Sequence, residues 1–424
     1  MPKNVHMVGI GGIGVSAVAR LFRHAGAMVT GSDASPSPVT IALENEGISV
    51  AIGHNRDNVP IAADLLVYSP AVVYENVERM VARERNIKEL SYPEALGMVS
   101  FGKYTIAVSG THGKTTTTAM LAQVLASLSP TTIVGSIING RKTNFIAGDS
   151  KYFIVEACEY RRSFLALSPN IAVITNIDLD HLDYYQDIAD IQKAFGEFAA
   201  SVPKDGYVVC NPNDVKVQPI LRGLTATIVD YTKMMPEARR IPLQLLGEHN
   251  ILNAAVALTV ALTMGVRSEV AVSALSSFGG TWRRLEEKGK TTGGAIVYDD
   301  YGHTPAEIRA TLAALRAKYE NERLTICFQP HLYSRTKILL DDFVTAFTDA
   351  DDVIVTDIYA SREDPDPSID STILAERIAA YKNVLYVPKP DLEEVLKKRA
   401  EEGGVILLAG AGDIYQLTPA LLPS

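Results

Sequence analysis

Lysine, threonine and glycine follow one another closely after a β-branched run, and this segment is the one best suited to phosphate chemistry. Gly110-Thr-His-Gly-Lys-Thr115 comes after the predicted strand Tyr104–Ser109 and before a helical pattern that runs to about Leu128. Backbone amides at a helix N-terminus can cradle a phosphate, the lysine can reach its outer oxygens and the threonine hydroxyl can ligate Mg²⁺. Val108 occupies the first glycine position of the usual G-x-x-x-x-G-K-[ST] loop. The segment predicts a nucleoside triphosphate site formed by Gly110, Thr111, His112, Gly113, Lys114, Thr115 and Thr116.

A second glycine turn opens the chain. Gly9, Gly11 and Gly14 form G-x-G-x-x-G between a strand pattern at Val5–Ile10 and a helical pattern at Val15–His24. This context is typical of a diphosphate site, although a βα turn without a ligand is an alternative. The glycines do not distinguish NAD from a UDP-sugar, because both carry a diphosphate. The residues predicted to bind it are Gly11, Gly12, Ile13, Gly14, Asp33 and Ser69, and His54 is a further candidate.

Acidic residues and a histidine follow two later strands. Glu156 ends one predicted strand, and His181 follows another within an acidic turn that also contains Asp178 and Asp180. The carboxyl ends of parallel strands are where open α/β sheets place their ligands. Mg²⁺ prefers oxygen ligands. Thr115, Glu156 and His181 are the candidate metal residues, because their strand ends would converge with the phosphate loop, whereas a solvated turn is the favoured interpretation of the aspartates.

These residues need elements to position them, and the whole chain supplies a regular pattern. Short β-branched runs alternate with helical stretches almost from end to end, which predicts an α/β protein with mostly parallel sheets. The 424 residues exceed one ordinary domain. Three blocks are predicted, at residues 1–98, 99–280 and 281–424.

Composition excludes several classes of protein. The formal net charge of −9 argues against a nucleic-acid-binding protein. No stretch approaches 18 uncharged apolar residues, so neither a membrane span nor a signal peptide is expected. The three cysteines Cys158, Cys210 and Cys327 have no disulfide or metal spacing, which favours a cytoplasmic protein.

Taken in order, the motifs resemble those of the Mur ligase superfamily, and the likeness covers essentially the whole chain. It rests on the two glycine segments, the Glu156 and His181 strand ends and four later segments. The later segments are Gly247-Glu-His249-Asn250-Ile-Leu-Asn253-Ala, Trp282-Arg283-Arg284-Leu-Glu286, Asp299-Asp300-Tyr-Gly-His303-Thr-Pro305 and Gln329-Pro-His331-Leu-Tyr333-Ser-Arg335-Thr336.

The resemblance implies three domains: an N-terminal Rossmann-like domain for a UDP-linked substrate, a central P-loop ATPase domain and a C-terminal Rossmann-like domain that closes over the site. It implies ATP as co-substrate with Mg²⁺ or Mn²⁺. Asn250 and Asn253 would hold the adenine end of ATP, and Arg283 and its neighbour Arg284 would approach the same nucleotide. The amino-acid and carboxylate pocket would consist of His303, His331 and Arg335, and the catalytic residues would be Lys114, His181, His303 and Arg335.

The likeness is greatest to the branch that ligates L-alanine to the lactyl carboxylate of UDP-N-acetylmuramate in peptidoglycan precursor synthesis. It implies an acyl-phosphate intermediate and a monomer or weak homodimer, with no nucleic-acid or membrane partner. One alternative is the sister ligase that attaches a recycled tripeptide to the same UDP-sugar. A nicotinamide-dependent oxidoreductase would use Gly9–Gly14 and Asp33 but would leave Lys114 without a role. A non-catalytic nucleotide sensor would be expected to lack the lysine or the metal ligands, and neither is missing.

Two positions depart from the pattern of the superfamily. Leu332 stands where many members carry a basic residue, which predicts a difference in the amino-acid pocket. Several sister ligases use a carbamylated lysine after the Asp180-His181 pair, but the offset of Lys193 does not fit that role. Lys193 is therefore predicted to be a surface lysine.

Overall fold

The computed structural model describes residues 2–361 and 363–423. The chain divides into two compact units, Met1–Ile241 with Asn253–Ser276 and Pro242–Leu252 with Ser277–Ser424. Two sheets belong to the first unit and one to the second. The predicted α/β class with mostly parallel sheets is confirmed, and each sheet falls within one of the three predicted blocks. The boundaries at residues 98 and 280 remain predictions.

The first sheet has five parallel strands in the order β3-β2-β1-β4-β5. Its strands are β1 Asn4–Val8, β2 Met28–Asp33, β3 Ser49–Ile52, β4 Leu65–Tyr68 and β5 Lys88–Ser91, and its helices are α1 Ile13–His24, α2 Pro38–Asn45, α3 Val77–Glu84 and α4 Tyr92–Ser100. The chain leaves β1 for β2 on one side and later returns to β4 on the other. A crevice for a ligand forms at such a switch in strand order, and the predicted glycine turn lies there.

The second sheet has seven strands in the order β12-β11-β10-β6-β9-β7-β8, with only β8 antiparallel to its neighbour. Its strands are β6 Tyr104–Ser109, β7 Thr131–Ile138, β8 Thr143–Ile146, β9 Tyr152–Glu156, β10 Ile171–Ile174, β11 Tyr207–Cys210 and β12 Thr227–Asp230. Its helices are α5 Lys114–Val124, α6 Ile188–Ala200, α7 Met235–Ala238, α8 Glu248–Thr263 and α9 Ser268–Ser276, of which α8 contributes residues to both units. Strands β6, β9 and β10 are neighbours, so their carboxyl ends meet at one edge.

The third sheet, in the second unit, has six strands in the order β13-β14-β18-β15-β16-β17. Its strands are β13 Glu286–Lys290, β14 Ile296–Asp300, β15 Leu324–Phe328, β16 Asp352–Val355, β17 Asn383–Tyr386 and β18 Val405–Ala409, and its helices are α10 Pro305–Lys318, α11 Tyr333–Ile338, α12 Leu340–Val344, α13 Ser371–Ala379, α14 Lys389–Glu401 and α15 Thr418–Leu421. The central strands β15 and β18 are buried along their whole length, as expected for parallel strands covered on both faces. Strand β13 pairs antiparallel at the edge and was not predicted, because Glu-Glu-Lys-Gly-Lys carries no apolar residue.

A buried polar contact joins the first two sheets. Asn144 in β8 is 1% exposed. Its amide nitrogen donates to the Ile13 carbonyl at 2.6 Å, and its amide oxygen accepts from Arg20 at 2.7 Å. Ile13 and Arg20 belong to α1, which begins directly after the glycine turn. The contact therefore fixes the start of α1 against the second sheet.

We expect Asn144→Ala to lower the stability of the protein by about 1–3 kcal/mol, because Arg20 and the Ile13 carbonyl would lose a buried partner. Urea unfolding followed by circular dichroism measures the change. The control is Asn321→Ala, at an exposed turn residue. An unfolding midpoint for Asn144→Ala equal to that of the control would show that this contact does not stabilise the fold.

Candidate functional site

The phosphate loop lies between β6 and α5, where the sequence predicts it. Gly113 is the residue before α5 and has a φ of +82°, a left-handed conformation that favours glycine. A Cβ on Gly113 would also overlap the side-chain oxygen of Asn253. The loop is fixed from the β10 side, since the His112 amide donates to Asn176 Oδ1 at 2.9 Å and the Thr175 hydroxyl donates to the His112 carbonyl at 2.6 Å. The loop backbone is therefore held in shape by the protein itself.

The Lys114 ammonium is the central cation of this loop. It donates to the carbonyls of Gly110 at 2.5 Å and Thr111 at 3.0 Å, and to Glu159 Oε1 at 2.9 Å. Burial acts to lower the pKa of Lys114, but the charge and hydrogen bond of Glu159, together with Cys158 and Glu156, outweigh burial and raise the pKa above its ordinary value. Lys114 is thus held as a cation at the N-terminus of α5.

Two of the predicted metal-binding residues, Thr115 and Glu156, lie in contact. The Thr115 hydroxyl, in the first turn of α5, donates to Glu156 Oε1 at 3.1 Å. The other oxygen of Glu156 accepts from the Gly135 amide at 2.8 Å, which orients the carboxylate. Thr116, the next residue, is buried in the helix. A hydroxyl and a carboxylate oxygen at this spacing are suitable donors for Mg²⁺.

Glu159, Asp180 and His181 form a second group of potential metal ligands, with ligand atoms all within 4.8 Å of one another. His181 has a φ of +55°, uncommon for a residue with a side chain. Glu159 Oε2 and His181 Nδ1 are buried and have no hydrogen-bond partner among the residues described. A buried polar atom without a partner is costly, so this site is suited to an added ligand.

Sequence reasoning named His181 as a metal residue, did not single out Glu159 and favoured a solvated turn for Asp180. Glu159 lies three residues after Glu156, and this spacing of two acids after a strand is a signal that could have drawn attention to it. Its pairing with Lys114 could not be read from the sequence, since 45 residues separate the two.

The glycine turn of the first sheet borders a cavity of about 520 Å³. Of the predicted diphosphate residues, the cavity is lined by Gly11, Gly12, Asp33 and Ser69, together with the weaker candidate His54. Asp33 Oδ2 accepts a hydrogen bond from the Gly11 amide at 2.8 Å, which fixes the backbone of the glycine turn. The cavity has the position expected of a diphosphate site in an α/β sheet.

The other two predicted residues of this turn lie behind the cavity. Gly14 lies against the ring of Tyr92, where a Cβ would be 2.5 Å from Cζ. The Ile13 carbonyl is held by Asn144. Both positions shape the turn and its packing, which is a physical role that the G-x-G-x-x-G pattern also predicts for its last glycine.

The two asparagines predicted to bind the adenine end lie in different units. Asn253, in the first unit, is 3% exposed and accepts from the Thr117 hydroxyl at 3.2 Å, so it lies beside the phosphate loop. Asn250, in the second unit, donates to the Leu246 carbonyl at 2.7 Å and lies 3.1 Å from His249 Nε2.

Arg283 is almost fully buried within the second unit. Its Nε lies 3.2 Å from both oxygens of Asp299, and its two terminal nitrogens donate to the carbonyls of Gly412, at 2.9 Å, and Gly410. Burial raises the pKa of Asp299 to about 6 in spite of the nearby guanidinium. Arg284 differs, because its side chain is 33% exposed. Of this pair, Arg284 is the partly exposed residue and Arg283 the buried one.

The residues predicted for the amino-acid pocket lie together in the second unit. The rings of His303 and His331 are 5.9 Å apart, and an Arg335 terminal nitrogen lies 3.1 Å from His331 Nδ1. His303 is positioned by the N-terminus of α10, where its amide donates to Glu307 at 3.0 Å. Leu332 is 2% exposed and has a φ of +70°, so its side chain packs into the core.

In residues 2–361 and 363–423, no helix is both long enough and apolar enough to cross a bilayer.

Lys193 is exposed in α6, in agreement with its prediction as a surface lysine.

Three family models match this chain in order along its length: the Mur ligase family catalytic domain at residues 4–104, the Mur ligase middle domain at 108–237 and the Mur ligase glutamate ligase domain at 283–412. The chain is 39% identical to the UDP-N-acetylmuramate–L-alanine ligase of Clostridium botulinum strain Langeland and 41% identical to that of Caldanaerobacter subterraneus subsp. tengcongensis. Each match covers 98% of this chain and 96% of the relative.

Among solved structures, the chain is similar to the UDP-N-acetylmuramate-alanine ligase of Thermotoga maritima, with a TM-score of 0.81 and 29% identity. The match covers 99% of this chain and 98% of that chain.

We expect Gly113→Ala to weaken nucleotide binding more than tenfold, because the new Cβ would displace Asn253 and distort the loop amides. The matched control is Gly223→Ala. Gly223 has a similar φ of +75°, but no atom lies within 4 Å of the position that a Cβ would take, so the control carries only the backbone penalty of about 1 kcal/mol. Calorimetric titration with ATP measures both, and equal affinities for the two variants would contradict the expected role of the loop.

Proposed function

The chain belongs to the Mur ligase family, and on that premise we propose that it joins L-alanine to the lactyl carboxylate of UDP-N-acetylmuramate, with conversion of ATP to ADP and phosphate. The observation that carries the proposal is the partly buried Lys114 cation at the start of α5, within a chain that matches alanine-adding ligases over nearly its full length. A phosphate loop provides the triphosphate site that an ATP-dependent ligase uses, whereas hydride transfer to or from a nicotinamide does not use one.

The proposed reaction has two steps, phosphoryl transfer to the carboxylate and amide formation. A carboxylate oxygen of the UDP-sugar attacks the γ-phosphorus of ATP, the bond from that phosphorus to the β-bridging oxygen breaks, and ADP leaves. The free amine of L-alanine then attacks the acyl carbon, the bond to the phosphate oxygen breaks, and phosphate leaves. The amine loses one proton as the amide forms. Activation is required because a carboxylate has no leaving group that an amine can displace.

Lys114 is the residue that we propose to bind the β and γ phosphates, together with the loop amides of Gly110–Thr115. Its ammonium is already fixed at the helix N-terminus by the Gly110 and Thr111 carbonyls and by Glu159. A pre-positioned cation stabilises the charge that develops on the transferring phosphoryl group without reorganisation during the reaction. His181, whose Nε2 lies 3.7 Å from Glu159 Oε1, would help to hold a cation beside this loop.

Mg²⁺ is the metal that we propose, with Mn²⁺ as a substitute. Thr115 and Glu156 supply hydroxyl and carboxylate oxygens, and His181 with Glu159 supplies the second group of donors. When bound, the metal supplies charge neutralisation for the phosphates. The protein residues orient these donors through the Glu156–Gly135 hydrogen bond and the Glu159–Lys114 ion pair.

We propose that the cavity at the first glycine turn binds the UDP group through Gly11, Gly12, Asp33 and Ser69. For L-alanine we propose the cluster in the second unit. The planar fork of Arg335 can bind the alanine carboxylate with two hydrogen bonds, and His303 and His331 lie beside it. We assign Arg284, which is partly exposed, to the nucleotide in preference to the buried Arg283, with Asn250 and Asn253 at the adenine end. A cytoplasmic location fits substrates of this kind.

Phosphate release with UDP-N-acetylmuramate, ATP and Mg²⁺ tests the proposed function. We expect release to depend on L-alanine and to be weaker with glycine or L-serine, because the pocket is proposed to bind a small amino acid. A mass increase that corresponds to one alanyl group identifies the product. Dependence on a tripeptide instead would favour the sister ligase, and release that depends on no amino acid would rule out the ligase.

We expect Lys114→Ala to lower turnover by about a thousandfold or more, since it removes a fixed cation from the transferring phosphoryl group. Affinity for the UDP-sugar should stay within about twofold of the wild type, because the UDP cavity lies on the other sheet of the unit. Lys193→Ala, at an exposed lysine of α6, is the matched control and should retain full activity. Loss of UDP-sugar binding in a folded Lys114→Ala protein would contradict this division between the two sheets.

A further inference from the structure

A buried carboxylate with several polar partners lies beneath the UDP cavity. Glu78, in α3, is fully buried, and its two oxygens accept hydrogen bonds from different parts of the first sheet. Oε2 accepts from the Ser32 hydroxyl at 2.5 Å and lies 3.2 Å from His6 Nε2. Oε1 accepts from the Asn55 amide at 3.1 Å and from the Asn58 side chain at 2.7 Å. One carboxylate therefore joins β1, β2, α3 and the loop after β3.

Glu78 is an anion in this setting. Burial acts to raise the pKa of its carboxyl, but the hydrogen bonds from His6, Ser32, Asn58 and Asn55 outweigh burial and lower the pKa to about 2. An ionised carboxylate only accepts hydrogen bonds. Every polar group that faces Glu78 must therefore present a proton to it.

His54 belongs to this network and also lines the UDP cavity. Its Nδ1 lies 3.5 Å from Glu78 Oε1 and 3.2 Å from the Ser32 hydroxyl oxygen, and a quarter of its side chain is exposed. Ser32 has a single hydroxyl proton, and that proton is donated to Glu78. Ser32 can then only accept from His54, so both neighbours require the proton of His54 to be on Nδ1.

We propose that Glu78 is a positioning residue that holds His54 in the Nδ1–H tautomer, so that the Nε2 lone pair faces the cavity and accepts a hydrogen bond from the nucleoside part of the UDP-sugar. The donor on the ligand is an N–H of the base or an O–H of the ribose. The inference rests on the proposed function, since it assigns a specificity role within the UDP cavity.

The arrangement goes beyond what stability of the sheet requires. A buried anion with four hydrogen bonds carries a large desolvation cost, which an apolar residue at this position would avoid. The partners of Glu78 include both the loop 53–58 that carries His54 and the strand end that carries Ser32. The same carboxylate thus sets where His54 lies and which of its nitrogens is protonated.

The tautomer can be measured on the wild-type protein without any substitution. Nitrogen-15 NMR of the histidine side chains at alkaline pH, assigned with His54→Ala, distinguishes a protonated Nδ1 from a protonated Nε2. We expect Nδ1–H for His54, and a shift of its Nε2 resonance when UDP is added. A protonated Nε2 in the neutral ring would overturn the proposal.

Calorimetric titration with UDP tests the coupling between the two residues. Glu78→Gln and His54→Ala should each weaken UDP binding about tenfold, the size expected for one lost hydrogen bond of this kind. The double variant should bind UDP no more weakly than His54→Ala, because Glu78 acts through His54. His54→Gln, which keeps an acceptor near the Nε2 position, should recover part of the affinity. His24→Ala, at an exposed histidine outside the cavity, is the matched control.

ATP titration of the same variants separates a local effect from loss of the fold, and ATP affinity should be unchanged. Additive losses in the double variant, or UDP binding unaffected in His54→Ala, would overturn the inference. If Glu78→Gln proves unfolded, the His54 variants and the wild-type NMR still decide it. If the wild type turns over with L-alanine and His54→Ala binds UDP as tightly as the wild type, this inference alone is refuted. If the wild type binds no UDP, the proposed function is refuted as well.

Discussion

The ion pair between Lys114 and Glu159 is the interaction on which the nucleotide site depends. A lysine at the start of α5 is surrounded by protein, and its charge would be unfavourable there without a nearby anion. Glu159 supplies that anion from the segment after β9, and its backbone is fixed in turn by a 2.5 Å hydrogen bond from Tyr185. The charges of the phosphate loop, the β9 end and the β10 end are therefore coupled to one another.

The parallel order of strands in the second sheet brings these charged residues together. Strands β9 and β10 flank β6, so Glu156 at the end of β9 and His181 in the loop after β10 lie on either side of the phosphate loop. Parallel strands place all their carboxyl ends at one edge, which brings together residues that are far apart in the sequence. The first sheet follows the same principle for the cavity at its glycine turn, which lies where the strand order reverses.

The first two sheets also share one compact unit, and the contact of Asn144 with α1 explains part of this. Helix α1 starts at the turn that borders the UDP cavity and packs on β7 and β8 of the second sheet. The glycine turn beside the cavity is thereby fixed to the sheet that carries the phosphate loop. In the second unit, Arg283 has a comparable structural role, since it connects β14 with the loop after β18 through Asp299 and two carbonyls.

The sequence by itself determined the fold class, the three-block organisation, both glycine turns and most strands, because these depend on local patterns: glycine spacing, β-branched runs and helical periodicity. It did not predict β13, whose charged residues pair at a sheet edge, and it did not show that Arg283 is buried against Asp299 or that Gly14 packs against Tyr92. Only the tertiary structure decided that Glu159 neutralises Lys114, that Asp33 braces the turn through Gly11 and that Glu78 reaches His54. These pairs join residues on different helices, strands and loops, and their distances are set by strand order and packing, which no local pattern encodes.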